Sequence, residues 1–354
     1  MSVHSKYMVC TRCMTYNQAI YIEDTLNGFA MQEAIFPMVF CIIDDASTDG
    51  EPEVIENWVE EHLDFSLLEA KREQFEYGSR IIAPLKGCQN SLFVFVFLRE
   101  NHFCQKKSKL QYIDEWQESA KYLAECEGDD YWIHPRKLHL QVEFLEEHPD
   151  YSTVYTNFNS YDVKGQKWRP SDLHKTKSGD LYIDIMEREI GIWLLTVCYR
   201  ATDHKTLPLV NDENVFQGDA FIFLHLSLCG KIYYLDEITA VYRYMPESVS
   251  HNKSIKLASK LQMRIAKCHL FYLERYPLSD KKQQKYLSKR YKLKCLSYCF
   301  YYKDWNMLKD LHISLFPIGN IRSIIGYLLY MLSYDKLLFK FISSLYELKL
   351  KNNK

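Results

Sequence analysis

The sequence predicts an α/β fold, a mixed sheet flanked by helices, with an all-helical extension behind it. Three observations predict it. Strand, polar loop and helix follow one another twice between Tyr7 and His62. The run Pro37–Ile43 is continuously apolar and of strand length, which suits a strand buried on both faces of a parallel sheet. From Ile255 onward the pattern changes to helical spacing with Lys and Arg interleaved. A doubly wound domain over residues 1–250 and a basic helical extension over 251–354 follow from these.

The elements can be justified in order. Tyr7–Met14 reads as a strand that breaks at Thr15-Tyr16-Asn17-Gln18. Ala19–Phe29 places Ile22, Leu26 and Phe29 at helical spacing, with Glu23 and Asp24 in its first turn. The strand at 37–43 ends in Asp44-Asp45-Ala46-Ser47-Thr48-Asp49-Gly50. Glu53–His62 resumes a helix with Val54, Ile55, Trp58 and Val59, and Asp49 is placed to cap it. Ser91–Leu98 is a further strand, closed by Arg99-Glu100-Asn101. Leu110–Ala124 reads as helical, with Ala120–Ala124 carrying it into a short strand. A helix starts near Pro135 and ends near His148-Pro149, and the strand Ser152–Thr156 follows. In open sheets of this kind, ligands bind beyond the carboxyl ends of the strands. Thr15-Tyr16-Asn17 and Asp44-Asp45 both fall there.

Composition sets the limits. The chain has 354 residues, 47% hydrophobic and 25% charged, enough for one large core or two modest ones. The net charge of −2 conceals a division: residues 251–354 carry 21 Lys+Arg against 6 Asp+Glu, and the remainder carries 23 against 40. An acidic front and a basic tail point to two parts with different partners. The 11 cysteines are scattered. Cys10 and Cys13 form a C-x-x-C with no second pair at zinc-ribbon spacing, and they read as buried free thiols in a reducing compartment. The N-terminus has no apolar core of signal-peptide length and no uncharged apolar run reaches 18 residues, so a cytoplasmic chain without a spanning helix is expected.

Chemistry concentrates at Glu127-Gly128-Asp129-Asp130-Tyr131-Trp132. Asp and Gly disfavour helix and strand interiors, so this is a strand end or tight turn. Adjacent carboxylates repel unless a cation lies between them and a ligand. A divalent ion bridging to phosphate oxygens is one solution, and a solvated Asp–Asp turn is the plain alternative.

Taken together, Thr15-Tyr16-Asn17 after one strand, Ile-Ile-Asp-Asp-Ala-Ser-Thr-Asp-Gly after a second, and Glu-Gly-Asp-Asp-Tyr-Trp-x-x-Pro-x-Lys-Leu after another resemble family 2 glycosyltransferases of the GT-A fold. The likeness is to bacterial enzymes of capsular and other surface polysaccharides, and it covers roughly residues 5–250. It continues in Gly191-Ile-Trp193-Leu-Leu-Thr196, Gln217-Gly218-Asp219 and Tyr242-Arg243. Two features depart from the family. Its Asn-x-Gly and Ala-Arg-Asn are replaced by Asn101 and a Lys-rich Gln105–Lys109, and the His it often has two residues after Tyr-Arg is Met245, with His251 later.

The resemblance implies a Rossmann-like nucleotide-sugar domain and transfer of a sugar, UDP-linked by default, with inversion, to a growing glycan or lipid-linked acceptor. It implies that Asp130 holds Mn²⁺ or Mg²⁺, with Asp129 sharing the ion or meeting the ribose. Thr15, Tyr16, Asn17 and Asp45 would contact the nucleoside, and Arg243 the phosphates. Asp219 would be the general base. Trp132, Trp193 and Thr196 would line the acceptor and sugar pocket. From the residues alone, Asp45 could cap the following helix, though Asp49 is better placed, and Asp219 reads by spacing as a helix cap; Trp132 and Trp193 could be core, and Arg243 could sit in an ion pair. A glycosyl-phosphate-lipid synthase and a non-catalytic nucleotide-sugar-binding partner are the rival functions.

The tail supports two readings. Leu257, Leu261, Ile265 and Leu270 recur at helical spacing, Tyr302-Lys303-Asp304-Trp305 reads as a turn, and Ile321–Leu348 is apolar but interrupted by charges. One reading is a peripheral platform on an anionic inner membrane leaflet. The other is a helical hairpin packing on the catalytic domain or on a twin subunit. No nucleic-acid-binding motif accompanies the charge, so no nucleic-acid partner is expected.

Overall fold

The computed structural model describes residues 5–169, 175–210, 212, 215, 218–245, 254–313 and 321–352. The chain divides into two compact units that are interleaved in sequence. The first is Met1–Tyr182, Ile190–Leu207 and His225–Tyr244, and the second is Ile183–Glu189, Pro208–Leu224 and Met245–Lys354.

The first unit is built on one mixed sheet. Its strands are β1 (Tyr7–Thr15), β2 (Met38–Asp44), β3 (Lys71–Phe75), β4 (Gly78–Leu85), β5 (Cys88–Leu98), β6 (Ala120–Glu125), β7 (Tyr131–Trp132), β8 (Tyr151–Asp162), β9 (Lys167–Arg169), β10 (Val197–Arg200) and β11 (Lys231–Tyr244). They lie in the order β3-β4-β5-β2-β1-β6-β10-β8-β11-β7, with β9 paired to β8. The centre is parallel: β1 pairs with β2 and β6, and β2 with β5. Thr15 lies opposite Asp44, and Arg12 opposite Glu125, so three strands end along one edge.

Every residue of β2 is buried, as a strand covered on both faces requires. On one side, Phe29 from the helix Ile22–Ala30 stacks on Phe40 at 5.3 Å, and Trp58 from the helix Glu51–His62 meets Phe93 at 5.2 Å.

Two sequence expectations change. Leu110–Ala124 is not one helix. A short turn and helix end at Glu118, and Ala120–Glu125 is the central strand β6. Tyr122, Leu123 and Ala124 are buried beside β1, because pairing on both sides, parallel to β1 and antiparallel to β10, outweighs the helix preference of Ala, Lys and Leu. The strand expected at Ser152–Thr156 extends over Tyr151–Asp162, where the parallel partner β11 holds it. Cys10 and Cys13 are buried free thiols.

The second unit is helical: Ile255–Arg275, Lys281–Tyr302, Trp305–Asp310, Ile321–Leu332 and Lys336–Asn352. Its helix starts are capped as their sequences allow. Asp280 accepts from the Lys282 N–H at 2.8 Å, and Asp304 from the Met307 N–H at 2.9 Å. Among the described residues, no helix is long and apolar enough to cross a membrane.

Candidate active site

The site lies at the carboxyl edge of β1, β2 and β6, where three loops knit together. The first is Thr15–Gln18. Asn17 takes a left-handed φ of 54°, which lets its Oδ1 accept from the Thr48 N–H at 2.8 Å while its own N–H donates to Ser47 Oγ at 2.8 Å. Tyr16 is 45% exposed, with its ring on the surface. Thr15 is buried, and its hydroxyl donates to Glu51. Glu51 also accepts from the Gln18 N–H at 2.8 Å and Ser47 Oγ at 2.9 Å. Burial raises its pKa, and those donors temper the rise. Sequence reasoning passed over Glu51, because a Glu in a helix's first turn ordinarily faces solvent.

The second loop follows β2. The Asp45 N–H donates to the Thr15 carbonyl at 3.1 Å. The Asp45 side chain is fully buried. Oδ1 accepts from the His102 N–H at 2.7 Å, and Oδ2 from the Phe103 N–H at 3.0 Å and Lys109 Nζ at 3.1 Å. Asn101 Nδ2 donates to the Asp45 carbonyl at 3.2 Å. Asp45 thus anchors the segment 101–109 across the crevice and does not cap the following helix, whose first N–H at Glu51 is met by Asp49 Oδ1 at 3.1 Å.

The third loop follows β6. The Gly128 N–H donates to the Met14 carbonyl at 3.2 Å, and a Cβ there would lie 2.3 Å from Thr15 Oγ1. Only glycine permits this approach of the first and third loops. Asp130 is buried. Its Oδ1 accepts from the Arg243 N–H at 2.8 Å, and its carbonyl accepts from Thr25 Oγ1 at 2.6 Å. Burial, then the neighbouring Asp129 charge, lift the Asp130 pKa well above the ordinary aspartate range. Burial also raises Asp129, against the pull of Arg243. Above the pair, Tyr242 has a raised pKa from its own burial and from Asp130, Asp129 and Glu127.

Arg243 is held on all sides. Its guanidinium donates to the Asp129 carbonyl at 2.8 Å, pairs with Asp24, and stacks over Tyr131 at 4.3 Å and Tyr21 at 5.0 Å. It positions the acidic turn in this structure.

Of the three residues expected around the acceptor, Trp132 and Thr196 are buried and Trp193 is partly buried. Trp132 is 1% exposed; its Nε1 donates to the Leu195 carbonyl at 2.9 Å, and Lys137 Nζ sits 4.4 Å from its ring centre. It is a core residue, packed edge-on to Phe29 at 4.9 Å. Thr196 is fully buried, its hydroxyl donating to the Trp193 carbonyl at 2.6 Å and its carbonyl accepting from Gln141 Nε2 at 2.8 Å. Trp193 is partly buried against Phe158 at 4.8 Å. A large apolar residue beside an acidic turn reads the same from sequence whether it lines a pocket or closes a core.

Asp219 belongs to the second unit. It opens the helix Asp219–Cys229, and its Oδ1 accepts from the Ala220 N–H at 2.7 Å. Its surface is exposed, yet desolvation still raises its pKa, opposed by that N–H and by Arg188. Neighbouring protein atoms displace water from Asp219 even though its outer side is open. His251 and Gln217 lie outside the described residues.

The chain shares its fold with a mannosyltransferase. It superposes on the structure of PcManGT from Pyrobaculum calidifontis, solved with GDP-Man and Mn²⁺, with a TM-score of 0.50 over 97% of this chain and 87% of that one, at 13% identity. It also matches S. aureus TarS 1–349 in complex with UDP-GlcNAc, at a TM-score of 0.48 and 14% identity over 92% of this chain and 91% of that one. The superposition on the mannosyltransferase concerns the Rossmann-like mixed sheet with helices that this chain shows. In sequence, the chain is 28% identical over 246 residues to uncharacterized proteins of Mycobacterium tuberculosis (Rv1520) and Mycobacterium bovis (Mb1547), a match covering 68% of this chain. The match spans 59% of the length of those curated relatives. No family model matches.

The acidic turn bears on metal binding directly. Among the described residues, no group of three or more His, Cys, Asp or Glu side chains could by itself hold an ion. Asp129 and Asp130 nonetheless suit Mg²⁺ or Mn²⁺, which one or two carboxylates hold together with a substrate's phosphate oxygens. Burial raises the pKa of both carboxyls, so a cation's charge would be favourable beside them.

Proposed function

We propose that the chain transfers a sugar from a nucleotide-sugar donor, UDP-linked by preference, to a glycan or lipid-linked acceptor, as a family 2 glycosyltransferase of bacterial surface polysaccharide synthesis. The observation that carries this reading is the meeting of Thr15–Gln18, Asp45 and Gly128–Asp130 at the carboxyl edge of three adjacent parallel strands. The ordered motifs and the fold shared with a mannosyltransferase solved in complex with GDP-Man and Mn²⁺ add support.

In this reading, exposed Tyr16 borders the base, and Thr15 and Asn17 shape the loop that receives the nucleoside. The segment 101–109, fastened to Asp45 through the His102 and Phe103 N–H groups and Lys109, forms the opposite wall. Asp130, with Asp129, would hold a divalent ion, which would supply charge neutralisation for the departing diphosphate. Arg243 keeps the two carboxyls in place through its backbone N–H and its guanidinium. Asp219 takes the proton of the acceptor hydroxyl. Its raised pKa makes it a stronger base than an ordinary aspartate, and direct displacement with a single base implies inversion.

The reading is tested with purified protein, Mn²⁺ and a panel of nucleotide sugars. One donor should raise the melting temperature in the presence of the ion, since a ligand of the native state stabilises it. Asp219→Asn should abolish transfer and leave donor binding intact. Full transfer by that variant, or retention of anomeric configuration in the product, would overturn the mechanism.

A further inference from the structure

The two last helices of the second unit carry apolar stripes that their own packing does not cover. In Ile321–Leu332, Ile321, Ile325, Leu328 and Leu332 are 73%, 52%, 55% and 52% exposed. Their spacing of four, three and four residues places them within about 60° of one another around the axis, at roughly 100° per residue. In Lys336–Asn352, Leu337, Phe341, Leu345 and Leu348 are 76%, 62%, 48% and 52% exposed, again at spacings of four, four and three.

The opposite faces are satisfied. Tyr330, Phe339 and Ile342 are buried, and Phe339 and Tyr346 pack against Phe300 at 5.8 and 5.0 Å. The Trp305 Nε1 donates to the Ser333 carbonyl at 3.3 Å. Each helix is therefore apolar twice over: one face is used inside the unit and the other is turned to solvent. Eight large aliphatic and aromatic side chains in two such rows exceed what scattered surface hydrophobics account for.

Charge selects what covers them. Lys336 and Lys340 are both exposed and flank the second stripe on one side, a turn apart. Over residues 251–354 the balance is 21 Lys+Arg to 6 Asp+Glu, a net +15. A second copy of this chain would bring an equal positive charge against the face, whereas an anionic lipid surface supplies the opposite sign and an apolar interior.

We infer that the helices Ile321–Leu332 and Lys336–Asn352 dock on an anionic lipid bilayer, their stripes entering the headgroup boundary and their lysines meeting lipid phosphate. Neither helix spans; each lies in the interface, as a helix with a basic flank and an exposed apolar row does. The inference rests on the second unit alone and stands whether or not the proposed sugar transfer does.

The test is flotation of the purified full-length chain with vesicles of phosphatidylglycerol and phosphatidylcholine, and with vesicles of phosphatidylcholine alone. The expected result is partition into the anionic vesicles at low salt, at least tenfold above the neutral ones and weakened by high salt. Leu337→Gln with Phe341→Gln should reduce it about tenfold or more with the melting temperature preserved, because both side chains are exposed. Lys336→Glu with Lys340→Glu should reduce it on anionic vesicles only. Absence of flotation at low salt, or flotation unchanged in both double variants, would overturn the inference. So would a dimer in light scattering that the Leu337→Gln, Phe341→Gln variant dissociates, since a second copy would then be the occupant.

Discussion

Lys109 Nζ stands 3.1 Å from Asp45 Oδ2, joining the loop after β2 to a segment 64 residues away. The carboxylate is sealed from solvent and the lysine side chain is 18% exposed. A buried carboxylate that loses its cation keeps only its two backbone donors, so Lys109→Met should cost about 1–3 kcal/mol in urea unfolding. Asp45→Asn in the Lys109→Met background should restore part of that loss, because the amide needs no counter-charge. Equal stability of Lys109→Met and the parent would show that the pair does not hold the 101–109 segment.

The acidic turn predicts a pH dependence of definite sign. Asp129 and Asp130 have folded-state pKa values raised above those of the unfolded chain. The folded state therefore binds more protons. Their stabilising contribution is full below the unfolded aspartate value, near ~3.9, and is lost as pH rises through the elevated folded values. Asp130→Asn keeps the acceptor for the Arg243 N–H and removes the charge. Without divalent ions, it should be at least as stable as the parent at pH 7.5, with the gap closing toward pH 5. Mn²⁺ should raise the melting temperature of the parent and not of the variant. Identical melting curves across that range, with and without Mn²⁺, would remove the metal assignment.

Gly128→Ala should be costly despite its small size. The added methyl would lie 2.3 Å from Thr15 Oγ1 and 2.5 Å from Gln18 Oε1. The first loop must then move away from the acidic turn. A loss of about 1–3 kcal/mol in stability is expected, together with at least a tenfold loss of nucleotide-sugar affinity by calorimetry. Unchanged affinity would mean that the contact between the two loops does not shape the donor site.

Trp132 separates core from pocket. Trp132→Ala should destabilise by about 3–5 kcal/mol, as for other fully buried aromatics. Trp132→Phe, which loses the bond to the Leu195 carbonyl, should cost less and leave the acceptor KM unchanged. A raised acceptor KM in a stably folded Trp132→Phe would return this side chain to the sugar site.

The opening βαβ arrangement was legible because β1, β2 and their helices carry strong local signals: β2 is apolar throughout, and Ile22, Leu26 and Phe29 repeat at helical spacing. The strand β6 was not, since Ala120-Lys-Tyr-Leu-Ala is locally neutral between helix and strand and its partner is over a hundred residues away. The placement of Thr15, Asp45 and Asp130 at one edge could be anticipated from strand ends. The work done by Glu51, Lys109, Asp24 and Tyr21 could not, because each acts through a side chain from a distant segment. Arg243 was expected at phosphates or in an ion pair, and it pairs with Asp24. Its stacking between Tyr21 and Tyr131 depends on β11 returning beside β7, which no local pattern announces.

The bond from the Arg243 N–H to Asp130 spans 113 residues and comes from nearly the last residue of the first unit. During synthesis the acidic turn leaves the ribosome long before its clamp does. Closure of so long a loop waits on β8 and β11 aligning in parallel, a slow step in folding. A nascent or truncated chain ending before β11 would lack the Arg243 N–H that fixes Asp130, so under the proposed function the ability to bind a donor would mark completion of the whole unit.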